Sequence, residues 1–373
     1  MKISLLSVAP PYRGGISDQT HLLYKTLKKH HSVNIINFKR QYPEMLFPGK
    51  SQYHDPYDWD EKYNHRLLDS INPISWLSVV KFIKSYAPDL IIIRFWNPFF
   101  AISYSYILKK IKKHFKSIKV ICVCDNIIPH EKHFFDKLLI SKIFKQIDGF
   151  VVMSDQVKEE LLDLRPDANY IKVFHPILND ISIKDKTRSK SKLGLSGKKI
   201  ILFFGLVRKY KGLEVLIKSN KYLMNELKDY KILICGESYA DTKFYNKMIN
   251  HYSISNEIKW INEFIPDDEV ATYFSASDIV VLPYLSASQS GIIPLAYSYQ
   301  KPVVASDIKG IKEMILDGKT GYLFEKNNSK MLSEKIEKFF TIKRDYSLDI
   351  EKFREYFSWD EFSAKIQLLY KSL

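Results

Sequence analysis

Short apolar runs alternate along the whole chain with stretches whose apolar positions fall three and four residues apart. The runs at 3–8, 33–38, 90–95, 120–124, 149–153 and 171–174 predict strands, as do those at 199–204, 231–235, 258–261, 279–282 and 302–305. The unbroken apolar run from Ile200 to Phe204 marks a strand buried on both faces, as in parallel sheets. Residues 18–29, 156–164, 267–275 and 329–340 carry helical periodicity. Strands spaced by helices predict βαβ units, and two such sets predict an α/β protein with two doubly wound domains. Residues 176–198 are polar, charged and weakly periodic, which predicts the interdomain linker. The domains are then expected at 1–178 and 196–356, with a final helix at 357–373 returning to the first.

Length and charge narrow this picture. A chain of 373 residues is long for one core, which agrees with two domains. The net charge of +15 is spread along the chain: residues 1–180 hold 26 Lys and Arg against 18 Asp and Glu, the remainder 31 against 24. An even basic excess suits nucleotides, nucleic acid or an acidic membrane face. Nucleic acid rests on charge alone, since the basic residues form no single block and no recognition motif is present. Cys122, Cys124 and Cys235 lie in strand-like runs, the usage of buried thiols in a reducing compartment rather than a disulfide framework. Cys122-x-Cys124 also has the wrong spacing for zinc. The opening KISLLSVAP fits a first strand better than a secretory signal. Residues 95–108 are uncharged but interrupted by Asn97-Pro98, and fall short of the roughly 20 apolar residues a bilayer span needs. A cytoplasmic protein is expected.

Several loops carry candidate chemistry. After the run ending at Phe204 come Gly205, then Arg208, Lys209 and Lys211, then Gly212 and a helical pattern. Fixed cations where a strand's carboxyl end meets a helix suit a diphosphate; a basic solvated loop is the plain alternative. Ser288-Gln289-Ser290-Gly291 opens a predicted helix after Pro283-Tyr284, offering hydroxyls and free N–H groups to a phosphate, or simply a serine cap. Gly14-Gly15 lets backbone N–H groups approach an anion, though it matches neither G-x-G-x-x-G nor a Walker A motif, and a plain tight turn fits too. Asp125, Asn126, His130 and Glu131 cluster at a strand's carboxyl end, where substrate handling is common. His175 stands at the domain boundary, either facing the cleft or packed within the linker. Asp58/Asp60 and Asp267/Asp268 resemble metal-binding pairs, but the first lie in an aromatic loop and the second open a helix, where acids favour the dipole. No metal is expected. Residues 104–119 hold six lysines and no acid, with Ile107, Leu108, Ile111 and Phe115 on one helical face. That pattern fits either a domain helix or a contact with anionic lipid. The aromatic segment 41–72 could cradle a sugar or lipid acceptor, or pack over the first domain.

These motifs together resemble a GT-B glycosyltransferase of family 4 (glycosyl transferases group 1). The resemblance is carried by Gly205-x-x-Arg208-x-x-Lys211-Gly212, by Asp278 to Pro283 followed by Lys301 to Ser306, by Asp317-Gly318-x-x-Gly321-Tyr322-Leu323, by Gly14-Gly15 and by the final helix from Trp359. Arg40-Gln41-Tyr42-Pro43, Leu46-Phe47-Pro48-Gly49-Lys50, Pro129-His130-Glu131 and Ser288-Gln289-Ser290-Gly291 resemble a narrower subgroup. The resemblance implies two Rossmann-like domains facing across a cleft. It further implies retaining transfer of a sugar from a nucleotide-diphosphate donor without a metal cofactor, to a glycan or lipid-linked acceptor in surface polysaccharide or glycolipid assembly. Membrane-peripheral contact at the inner face of the plasma membrane would suit such acceptors. Arg208 and Lys211 would neutralise the departing diphosphate, with Gly205, Gly14, Gly15, Ser290 and Gly291 beside it. Asp125 and His130 are candidates at the reacting sugar or acceptor hydroxyl, and Glu131, His175, Ser288 and Gln289 at substrate. The chain departs from the family where a Glu-x7-Glu pair is usual: those places fall near Ala287 and at Leu295. A catalytically silent subunit that binds nucleotide or a partner protein is therefore the rival reading.

Overall fold

The computed structural model describes residues 1–43, 52–53, 61–128, 135–176 and 181–373. The chain divides into two compact units, Met1–Val173 with Trp359–Leu373, and Phe174–Ser358.

The first unit is built on seven parallel strands: β1 Lys2–Leu6, β2 Ser32–Arg40, β3 Asn64–Asp69, β4 Leu90–Phe95, β5 Lys119–Cys124, β6 Gly149–Val152 and β7 Tyr170–Lys172. Their order is β3-β2-β1-β4-β5-β6-β7, so the winding reverses between β1 and β4. Alternating side chains feed two cores. Ile3 and Leu5 pack with Leu23 and Leu27 of the helix Gly15–Leu27 and with Trp359, Phe362 and Ile366 of the helix Trp359–Ser372. Leu6, Ile91 and Ile93 face the other way, toward the helices Pro73–Tyr86, Ala101–His114 and Asp136–Phe144. The terminal helix is held closely: a methyl group at Gly149 would lie 3.0 Å from Leu373 and 3.1 Å from Leu369. Lys119 Nζ also donates to the Leu373 carbonyl at 2.7 Å.

The second unit repeats the plan with β8 Lys199–Phe204, β9 Tyr230–Cys235, β10 Ile258–Ile261, β11 Ile279–Leu282, β12 Val303–Ser306 and β13 Gly321–Phe324, ordered β10-β9-β8-β11-β12-β13. All pairs are parallel and the winding reverses between β8 and β11. Both units are thus doubly wound α/β, the fold class expected from the alternation of runs.

Two details differ from the sequence expectation. β3 and β13 come from segments without a long apolar run, and both are edge strands. The supposed linker contains the helix Lys186–Lys192, and its described residues lie in the second unit. That helix buries only Ser189 and is fastened by charge instead: Lys186 and Lys190 both reach Asp278, at 2.5 and 2.9 Å. Residues 95–108 are broken by a 3-10 turn at Pro98–Phe100, and among the described residues no helix is long and apolar enough to cross a membrane.

All three cysteines are buried, Cys122 and Cys124 in β5 and Cys235 in β9. Burial pushes the thiols of Cys122 and Cys235 upward in pKa.

Candidate functional site

The loop after β8 and the loop after β11 meet at the point where the second sheet reverses direction, the usual ligand crevice of an open α/β sheet. β8 ends at Gly205, whose φ of 97° lets the chain turn, and Gly205 N–H donates to the Cys235 carbonyl at 2.9 Å. A 3-10 turn at Lys209–Lys211 follows, then Gly212 at φ 67° starts the helix Leu213–Glu226. Gly212 is required sterically as well, because a side chain there would begin 1.9 Å from the Pro283 carbonyl oxygen. Leu285 N–H donates to the Tyr210 carbonyl at 2.7 Å, so the two loops form one layer. A third loop, after β9, is zipped onto the first through Val207 N–H to Glu237 O at 2.9 Å and Tyr239 N–H to Val207 O at 3.0 Å.

The two cations expected to matter stand in this layer. Lys211 is half-buried, its ammonium near Gly205 and 5.9 Å from the centre of the Tyr284 ring. Burial, with the positive charge of Arg208, lowers its pKa to about 8. Arg208 is exposed and lies over the Tyr239 ring at 5.5 Å. Among the described residues neither cation has a carboxylate partner. Tyr239 and Tyr284 were not singled out in sequence. Their signal was positional: each closes the end of a strand next to β8.

The serine loop is packed tightly. Ser288 and Ser290 are buried, Ser290 accepts from Ile292 N–H at 3.2 Å and is hydrogen-bonded to Tyr284. Gly310 presses on its backbone, since a side chain at Gly310 would meet the Ala287 carbonyl at 2.2 Å. Gly291 is exposed, and the ring of His175 lies 3.7 Å from where a Gly291 side chain would begin. His175 Nδ1 is 3.0 Å from the Pro176 carbonyl, which can only accept, so Nδ1 carries the proton. The structure therefore brings Gly205, Arg208, Lys211, Ser288, Gln289, Ser290, Gly291 and His175 into one unit. Ala287 is buried and Leu295 packs against the core, so neither place offers a carboxylate.

In the first unit the corresponding crevice lies between β1 and β4. Gly14, at φ 118°, and Gly15 are exposed with open space around them, and Gly15 begins a helix. The loop before them is held from behind: Asn37 bonds Ala9 and Pro10, and Tyr12 donates to the Lys39 carbonyl at 3.0 Å. Asp125 is buried beside Arg94, itself only 2 % exposed. Arg94 Nε donates to Asp125 at 2.9 Å, a second Arg94 nitrogen reaches the other carboxylate oxygen, and the same nitrogen donates to Gln19 at 2.5 Å. Arg94 thus ties β4 to the end of β5 through Asp125 and to the first helix through Gln19, a partnership invisible to the sequence reading. Its only clue was Arg94, a lone charge inside an apolar run. His130 and Glu131, with Asp58 and Asp60, lie outside the described residues. Asp267 and Asp268 are exposed in the first turn of the helix Asp267–Ala276. Among the described residues no three His, Cys, Asp or Glu converge as metal ligands.

Residues 185–357 match the family of glycosyl transferases group 1. The match covers just under half of the chain and contains the whole cation and serine layer. An uncharacterised glycosyltransferase of Methanocaldococcus jannaschii is 26% identical over 255 residues, 65% of this chain and 62% of that protein. The chain thus spans less than two thirds of the curated relatives it matches. Among solved structures, sucrose-phosphate synthase of Thermosynechococcus elongatus superposes with a TM-score of 0.76 at 16% identity, covering 100% of this chain and 98% of that one. HepE of Anabaena, solved in complex with UDP, gives 0.76 at 15% identity over 100% of both chains. The fold likeness holds for both Rossmann-like units. The family match concerns residues 185–357, and the likeness to the solved structures is one of fold.

Proposed function

We propose that this chain transfers a sugar from a nucleotide-diphosphate donor to a glycan or lipid-linked acceptor, with retention of anomeric configuration and without a metal cofactor, in surface polysaccharide or glycolipid assembly. One observation carries the reading: Arg208 and Lys211, without carboxylate partners among the described residues, stand at the reversal point of the second sheet. A diphosphate there would supply the missing negative charge, and two cations perform the neutralisation that a metal performs elsewhere. Ser290 and the exposed Gly291 would add neutral contacts. HepE, solved with UDP-glucose, shares the fold and makes a uridine nucleotide a first donor to try. The likeness of the narrower subgroup, with its Pro-His-Glu and Ser-Gln-Ser-Gly stretches, belongs to the same proposal.

The experiment is donor turnover by the purified chain across a panel of nucleotide-diphosphate sugars, with the anomeric configuration of the product read by NMR. Arg208→Glu or Lys211→Glu should abolish turnover, and parental turnover in either variant overturns the assignment. The buried Ala287 and the packed Leu295, at places where the family usually has acids, favour a second reading in which the chain binds nucleotide without catalysing transfer. Thermal stabilisation by a nucleotide without any turnover would favour that reading.

A further inference from the structure

Three adjacent helices over one face of the first sheet repeat a single outward pattern. Pro73–Tyr86 packs on Ala101–His114, which packs on Asp136–Phe144. Each follows a parallel strand, so their N-termini share the carboxyl edge of the sheet. Their apolar stripes are already used inward, by Val79 and Ile83, by Ile107 and Ile111, and by Ile140 and Ile143. The outward stripes run from apolar to basic in the same direction. On the first helix the stripe is Ile74, Leu77, Lys81, Lys84; on the second it is Ile102, Tyr106, Lys109, Lys113. On the third it is Phe135, Leu138, Lys142, Lys145.

Five of the six apolar members are well exposed, Ile74 at 74% and Leu138 at 69%, while Tyr106 is half-buried against Trp76 of the first helix. Scattered exposed aliphatics are ordinary, but chance does not align them at one end of three neighbouring helices. Charge is as one-sided: residues 71–87, 101–119 and 135–147 hold eleven lysines and one carboxylate. Lys112 pairs with Asp148, whereas the lysines of the three outward stripes pair with no carboxylate among the described residues. The helices on the opposite face mix both signs, with Asp18, Asp360 and Glu361 among their lysines.

We propose that this three-helix layer is a docking face for an anionic lipid bilayer, with the aliphatic ends at the acyl boundary and the lysines on the phosphate headgroups. Ten residues of helix place the last lysine about 15 Å from the first aliphatic, which suits a face lying in the interface rather than crossing it. Because the inward stripes are committed to the core, the layer docks folded, without peeling a helix away. The aliphatic ends sit on the strand edge that carries Gly14-Gly15, so a lipid-linked acceptor would arrive at the crevice of this unit. The inference does not depend on the transfer reaction and stands even if the chain proves catalytically silent.

The test is vesicle flotation of the full chain, with phosphatidylglycerol–phosphatidylcholine mixtures against phosphatidylcholine alone. Expected is binding to the mixed vesicles that weakens with salt, and at least roughly tenfold weaker binding to the neutral ones. Lys81→Gln, Lys109→Gln and Lys142→Gln should each weaken binding about fivefold. Leu77→Ser with Leu138→Ser should remove the binding that survives high salt. Lys25→Gln and Lys371→Gln, on the opposite face, should change nothing. Equal binding to neutral vesicles, or equal losses from the two faces, overturns the proposal. So does retention of an oligonucleotide by these lysines without vesicle binding. Melting temperatures matching the parent show that a loss is not one of fold.

Discussion

The two sheets share one strand order through the reversal point, and each has a cation beside it, yet the cations live differently. In the first unit Arg94 is buried, and its charge is answered by Asp125 and Gln19. In the second, Lys211 is half-buried next to another cation, and no carboxylate among the described residues answers it. A buried ion pair ties elements together and asks for nothing further. An uncompensated lysine is an expense to the free protein that an anion would relieve. On the proposed function, the second crevice is the one that takes a diphosphate, while the first holds its own framework.

Asp125→Ala should separate the two roles most sharply. It strands a buried guanidinium and should cost about 3–5 kcal/mol in chemical denaturation; an unchanged midpoint would mean that Arg94 is not quenched as described. Lys211→Ala should reduce donor turnover by about 10²–10³ while leaving the fold intact. Gly212→Ala forces a side chain toward the Pro283 carbonyl from a left-handed backbone. It should cost roughly 1–3 kcal/mol and part the two loops, seen as a lower melting temperature together with weaker nucleotide binding.

The gentlest probe is pH. Lys211 has a pKa of about 8 in the free protein and binds an anion in its charged form. Affinity for a nucleoside diphosphate should be flat below about pH 8 and fall above it by up to about tenfold per pH unit, as calorimetry would show. Lys211→Arg should move that bend to higher pH. For the unliganded fold the sign is opposite. The lowered pKa gives a stabilising contribution that is complete above the ordinary lysine value and is lost as pH falls through 8.

The alternation of apolar runs was enough to read both doubly wound sheets, because parallel strands buried on two faces need continuous Val, Ile, Leu and Phe. β3 escaped because Asn64, His65 and Arg66 occupy an edge position that only half needs apolar residues. The helix Lys186–Lys192 escaped because lysines on Asp278, rather than an apolar stripe, hold it in place. The basic loop after β8 was legible, since glycines and cations lie close together in sequence. What made Lys211 distinctive was its shared layer with Tyr284 and the lack of a carboxylate, and that depends on residues about seventy positions away. The Arg94–Asp125 pair was hidden for the same reason: its partners meet only when β4 and β5 align.

The sealed thiols supply a built-in stopwatch. β5 holds two of them in the first unit and β9 the third in the second; all three are buried, and burial raises the pKa of Cys122 and Cys235. A soluble thiol reagent can modify them only when the host sheet opens. Peptide-resolved labelling rates would therefore report the opening of each unit separately in the unmodified chain.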